Sequence, residues 1–303
     1  MHLVRYRADD QQARVGVRDR DTITALPSVG SISELLSLTA ADLRSTVESA
    51  PEGEGVDVGT VQLLPPLDGR GEVWCAGVTY ERSRGARMEE SSEQSVYDRV
   101  YTADRPELFL KSPAWRLVTD LEPIGIRADS GLDVPEPELA VVVNRHGEIV
   151  GYTVCNDVSS RAIEGVNPLY IPQAKLFAGG CSLSSGIRPA WEVDDPMDLA
   201  ITMTVHRDGS AAFAGSTSTA TLARSLTDLV AVLGEANDFP DGVVLATGTG
   251  IVPEMDFTLL AGDQVEIEID QVGRLTNEVR IGKDTFGWLS DDSSARPQME
   301  EAR

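Results

Sequence analysis

A chain of 303 residues, 41% of them hydrophobic, can bury one large core or one core plus a small appendage. Its 49 acidic residues against 26 basic ones give a formal net charge of −23, which argues against nucleic acid or an anionic membrane as partner, because both are polyanions. No apolar run approaches the roughly 18 residues of a membrane span, the N-terminal stretch carries Arg and Asp throughout rather than a secretory pattern, and Cys75, Cys155 and Cys181 lack CxxC spacing, so the expected setting is cytoplasmic with reduced thiols.

In chain order, residues 1–65 read as a small α+β N-terminal domain. "HLVRYRA" and "ARVGVRD" alternate like the strands of a hairpin, while "SISELLSL" and "TAADLRSTVES" read as helices with Ser or Thr caps. After a loop ("APEGEGVDVG") and a Pro- and Gly-rich entry ("LLPPLDGRG"), residues 66–289 form a second unit dominated by short β-like runs. These are "EVWCAGV", "ELFLK", "ELAVVV", "EIVGYTV", "LAITMTVHRDG", "GVVLATGTG" and "DQVEIEIDQVG", which predict a mainly β, antiparallel or mixed architecture with some α. The charged run "ERSRGARMEESSEQSVYDRV" (residues 81–100) reads as helical, either a solvated surface helix or a lid. Residues 290–303 read as a polar, disordered tail. No GxGxxG follows a strand and no Walker sequence is present, so no nucleotide fingerprint is seen.

The stretch "VPEPELAVVV" carries two glutamates at the mouth of an apolar strand. Side chains on a strand alternate, so Glu136 and Glu138 share a face with Ala140 and Val142, and Leu139, Val141 and Val143 take the other. A turn centred on His146 and Gly147 would put Asp157 of the return strand opposite Glu136, with Val150, Tyr152 and Val154 on the apolar face; Pro137 implies an edge or a bulge. Three carboxylates on one face repel each other unless a cation sits among them, and an oxygen-only set with so few protein ligands suits a hard divalent ion, Mg2+ or Mn2+. Three surface acids on an acidic protein is the competing reading.

"PEPELAVVV", "GYTVCNDVSSR", "PQAKLFAGGC" and "TGTGIV" resemble, in order and spacing, successive motifs of the fumarylacetoacetate hydrolase superfamily over residues 70–275. "EVWCAGVTYERSR", "RPELFLK" and "VNPLYIPQAK" are most similar to the branch that dehydrates 2-keto-3-deoxy-pentonates, of arabinonate or xylonate origin, to 2,5-dioxopentanoate in oxidative pentose degradation. The resemblance implies a mixed β-sheet roll, Mg2+ held by Glu136, Glu138 and Asp157, Lys175 as the site lysine and Glu107 as an acid–base residue. It further implies that Thr249, and Tyr80 and Arg84 at the entry to the lid, meet a small 2-keto sugar acid, and that the chain forms a homodimer or homotetramer. Two stretches depart from that branch: Ala162 stands where it has an acid, and Ser184 and Ser185 where it has Gly-Pro.

A metal ion chelated by the carboxylate and keto oxygens of a 2-keto acid favours loss of a C3 proton. Lys175, with its pKa lowered by burial or by the cation, is the candidate base, and Glu107 the candidate acid for the leaving C4 hydroxyl; a structural salt bridge and a surface glutamate are their bland alternatives. A Schiff base on Lys175 is disfavoured when a metal holds the same keto oxygen. The rival activities are C–C bond hydrolysis of an acylpyruvate or fumarylpyruvate and oxaloacetate decarboxylation. The hydrolases typically use a histidine near the lid, whereas His2 is terminal, His146 lies in the turn and His206 in an apparent second turn. Only three basic residues are lysines, Lys111, Lys175 and Lys283. That bias reads either as a GC-rich genome or as a halophilic surface.

Overall fold

The computed structural model describes residues 1–8, 12–50, 55–90, 94–291 and 296–299. Two sheets pack face to face. The larger has twelve strands. Its path runs Val56–Asp57, Thr22–Ala25, Ala13–Asp19, His2–Arg7, Gly186–Pro189, Ile149–Asp157, Pro137–Val143, Val243–Ala246, Glu72–Gly77 and Glu107–Pro113, with Gln62–Leu64 and Cys181–Leu183 paired off the path. The smaller runs Ser210–Ser218, Ala200–Arg207, Gln264–Ile269, Gly273–Ile281 and Ile124–Ile126. Most pairs are antiparallel; Val243–Ala246 runs parallel to Glu72–Gly77, and Gly273–Ile281 parallel to Ile124–Ile126. The architecture is thus mixed and mainly β.

Leu139, Val141, Val143, Tyr152 and Val154 of the larger sheet meet Ile201, Met203, Val205, Val265, Ile267 and Leu275 of the smaller in one apolar cluster. Ala140, Val142, Val244, Ala246, Cys75 and Cys155 form a second cluster with Leu35, Leu36 and Leu43 of the N-terminal helices Ile32–Leu36 and Ala40–Glu48. The central strands are therefore buried on both faces, which is why Pro137–Val143 shows no exposed residue. Leu3 and Val4 pair with Ile187 and Gly186, so hydrogen bonding continues across the N-terminal segment into the central sheet.

The helix caps follow the sequence: Ser31 Oγ accepts from Glu34 N at 3.0 Å, and Thr39 Oγ1 from Asp42 N at 3.2 Å. The charged insertion forms two helices, Glu81–Glu90 and Gln94–Thr102. The strand of Ser210–Ser218, "SAAFAGSTS", escapes the sequence reading because small residues replace the large alternating ones. His206 lies within strand Ala200–Arg207 beside a bulge; Asp208 and Gly209, with φ of 51° and 75°, make the turn. Most of the 290–303 tail lies outside the described residues. Arg296 nevertheless pairs with Glu122 and donates to Leu117 O at 2.7 Å, and Met299 N donates to Leu121 O, so that stretch is tied to the body. Among the described residues no helix is long and apolar enough to cross a membrane.

Candidate metal and acid–base site

The hairpin register is the expected one: Pro137 pairs with Asn156, Glu138 with Cys155, and Asp157 N donates to Glu136 O at 2.9 Å. The strand is central, not an edge. Pro137 is its first residue, and pairing with Val243–Ala246 begins only at Ala140, so the missing N–H breaks no ladder there. The bulge falls at the other end, between Val142 and Val143, and it turns Val150 to the second cluster rather than to the face of Tyr152 and Val154.

Glu136, Glu138 and Asp157 are all buried, and one oxygen from each lies within 4.8 Å of the others. Two buried ammonium groups stand against them. Lys175 Nζ donates to Glu136 Oε2 at 2.7 Å, to Asp157 Oδ2 at 3.1 Å and to Ser159 Oγ. Lys111 Nζ pairs with Asp157 Oδ1 and donates to Val158 O at 2.8 Å and Lys175 O at 2.7 Å. Lys111 therefore joins a carboxylate to the backbone of the other lysine. The sequence reading singled out its scarcity but gave it no role. The aromatic faces of Phe177 and Phe109 lie 5.4 Å from Lys111 Nζ and 5.6 Å from Lys175 Nζ.

Three carboxylates against two ammonium groups leave an excess negative charge in a desolvated place. The consequence is seen at Glu138: burial, then Asp157 and Glu136, push its carboxyl well above the usual range, while Lys175 and the Gly248 N–H pull it back. An all-oxygen donor set with surplus negative charge fits a hard divalent cation. Cys75 is also pushed up, by burial and then by Asp157 and Glu138, and Cys155 by its contact with Cys181 and by burial. Both thiols are thereby held protonated and unreactive.

The cavity in front of these groups is lined by Glu107, Phe109, Glu164, Ser83, Val78, Thr249 and the three carboxylates with Lys175. Glu107, at the start of strand Glu107–Pro113, lies over Gly77, where a Cβ would collide with its carboxylate. Thr249 faces the cavity and its hydroxyl is held by Ile251. Glu164, on helix Arg161–Val166, is a buried carboxylate that the sequence reading passed over as one acid among many. Tyr80 and Arg84, expected at the substrate, stand elsewhere. Tyr80 is buried in the inter-sheet core, and Arg84 packs 4.9 Å over the Tyr101 ring on the neighbouring helix. Neither lines the cavity, nor among the described residues does any of the three histidines.

A two-sheet β roll with carboxylates and lysines buried together at one strand mouth defines a protein with a built polar site suited to a hard cation. The chain belongs to the fumarylacetoacetate hydrolase family, whose profile, described as Fumarylacetoacetate (FAA) hydrolase C-terminal, matches residues 72–280. It is 44% identical over 257 residues to a probable 2-keto-3-deoxyxylonate dehydratase of Haloferax volcanii, covering 84% of this chain and 88% of that one. It is 38% identical over 268 residues to the 2-dehydro-3-deoxy-D-arabinonate dehydratase of Saccharolobus solfataricus, covering 86% and 88%. Among solved structures, 2-keto-3-deoxy-D-arabinonate dehydratase complexed with magnesium and 2,5-dioxopentanoate superposes with a TM-score of 0.79 at 33% identity, over 93% of this chain and 99% of that one.

Proposed function

We propose that this chain is a hydro-lyase that dehydrates a 2-keto-3-deoxy-pentonate to 2,5-dioxopentanoate with Mg2+, or Mn2+, as cofactor. The observation that carries the reading is the joint burial of Glu136, Glu138, Asp157 and Lys175 at one cavity, in a chain 44% and 38% identical to two pentonate dehydratases. Glu136, Glu138 and Asp157 would hold the ion, which supplies a Lewis acid for the oxygens of a 2-keto acid.

The remaining work falls to this chain's own side chains. Lys175 is fixed as an ammonium by Glu136, Asp157 and Ser159, so it takes a proton from C3 only after releasing one of its own and becoming the neutral amine. Glu107, which lines the same cavity, protonates the departing C4 hydroxyl, which leaves as water. A proton then moves from C5 to C3, which leaves an enol across C4 and C5, and the hydroxyl proton of that enol passes to C4 to give the aldehyde at C5. Phe109, Val78 and Val252 close the cavity with apolar surface, which keeps bulk water from the reacting carbons. Glu164 and Thr249 offer polar contacts to the substrate's hydroxyls.

The test is a paired assay with Mg2+. Incubation with 2-keto-3-deoxy-pentonate should yield 2,5-dioxopentanoate, whereas pyruvate released from an acylpyruvate, with no dehydration, would overturn the reading in favour of C–C bond hydrolysis; carbon dioxide from oxaloacetate would favour decarboxylation. We further propose a cytoplasmic homodimer or homotetramer with a salt-adapted surface. Light scattering in molar KCl tests the assembly, a monomer being the contrary result.

A further inference from the structure

The strand Glu72–Gly77 leads into the helix Glu81–Glu90 through a turn in which Val78 has φ of 54°. A β-branched residue in the left-handed region is strained, and such strain persists only where surrounding contacts enforce it. The contacts are those of the next residue. Thr79 is fully buried, its carbonyl accepts from Ala223 N at 2.9 Å, and its hydroxyl donates to Thr247 O at 2.6 Å.

Thr247 O and Gly248 N belong to one peptide group. That group is planar and trans, so its carbonyl and its N–H point in opposite directions and turn together. On one side it accepts from Thr79 Oγ1; on the other, Gly248 N donates to Glu138 Oε2 at 2.7 Å. The Thr247 side chain and N–H both hold Leu139 O, the residue after Glu138, at 2.8 and 3.0 Å. Gly248 has φ of 95°, and a Cβ there would collide with Thr79 Oγ1. One rigid plate is thus gripped by the turn at the base of the helical insertion and by a carboxylate of the candidate metal site.

We propose that Thr79 is a positioning residue for Glu138. Its hydroxyl sets the angle of the Thr247–Gly248 peptide, the peptide N–H fixes Oε2 of Glu138, and the carboxylate so fixed would hold the ion. The strained turn at Val78 is what brings Thr79 to that carbonyl, so the entry of the insertion and the metal site are one mechanical unit. This rests on the metal role proposed for Glu138.

The experiment compares wild type, Thr79→Val, which keeps the shape and removes the hydroxyl, and Thr79→Ser, which restores it. Mg2+ affinity is measured by calorimetry without substrate. Thr79→Val should bind Mg2+ about tenfold more weakly, in the range seen when a hydrogen-bond partner of a ligand is lost, and Thr79→Ser should recover most of that. Wild-type affinity in a folded Thr79→Val would overturn the proposal; no Mg2+ binding by the wild type would instead overturn the metal reading. A cycle of Thr79→Val, Glu138→Ala and the double variant, melted in EDTA, tests the linkage without metal, since alanine removes the acceptor of Gly248 N. Coupled residues give a double-variant Tm shift that departs from the sum of the singles, and additive shifts count against the proposal. Should Thr79→Val fail to fold, Thr79→Ala serves in both measurements.

Discussion

Carboxylates held within 4.8 Å of one another in a buried place require positive charge beside them, and Lys111 and Lys175 provide it before any cation does. Removing one partner of such a cluster is more costly than never having built it, because the remaining charge stays buried. Lys111→Met should therefore destabilise the fold by about 3–5 kcal/mol, read by urea unfolding in EDTA, and Mg2+ should recover part of the loss by restoring charge beside Asp157. An undisturbed Lys111→Met in EDTA would mean that Asp157 is compensated some other way. Glu138→Gln acts in the opposite sense. Burial, Asp157 and Glu136 already disfavour its charge, so the neutral amide should leave the Tm in EDTA equal or higher. Mg2+ affinity should fall at least about tenfold and turnover with it; full activity in that variant would remove Glu138 from the metal site.

At the scale of elements, the short strand Asp133–Val134 pairs with Ser159–Ser160 and so braces the hydroxyl that holds Lys175. Burial raises the Asp133 carboxyl to about 6, against partial relief from Ser130 and the Arg127 backbone. A raised acid pKa means that the folded chain keeps a proton the unfolded chain releases. The associated stability is full below about pH 4 and is lost as pH rises through 6. Asp133→Asn should accordingly gain Tm relative to wild type at pH 7.5 compared with pH 4, and a difference that does not change with pH would contradict the assignment. The neighbouring hairpin explains why much of this site was legible in sequence. Alternation fixed the faces, and a slip of one residue would have taken Asp157 off the glutamate face, so one register satisfied both burial and charge. What was not legible depended on distant pairing. Lys111 reaches Asp157 only because Glu107–Pro113 pairs with Glu72–Gly77, which pairs in turn with Val243–Ala246. Tyr80 and Arg84 sit in the motif segment but do not line the cavity, one packing in the core and one onto its helical neighbour, and no local pattern encodes that.

For the whole molecule, a formal charge of −23 on 303 residues is a self-repulsion that folding concentrates into a smaller volume. Many of the arginines are already engaged by acids, as in Arg5–Asp68, Arg70–Asp241, Arg207–Asp263 and Arg296–Glu122, so they offset charge pairwise without removing the excess. Relief must come from solvent ions. The screening length is about 10 Å at 0.1 M salt and about 3 Å at 1 M, so repulsion between neighbouring surface acids is silenced only toward the molar end. Buried pairs such as Lys175–Glu136 are shielded from that ionic atmosphere and lose little. The two effects do not cancel: KCl should weaken the repulsion much more than the attractions at the site. Thermal melts in KCl from dilute buffer to molar concentration should show Tm climbing throughout, with sucrose failing to reproduce the early rise because it screens nothing. A Tm that is highest in dilute buffer would mean that the exposed ion pairs outweigh the excess acid, and that the acidic composition is not an adaptation to salt.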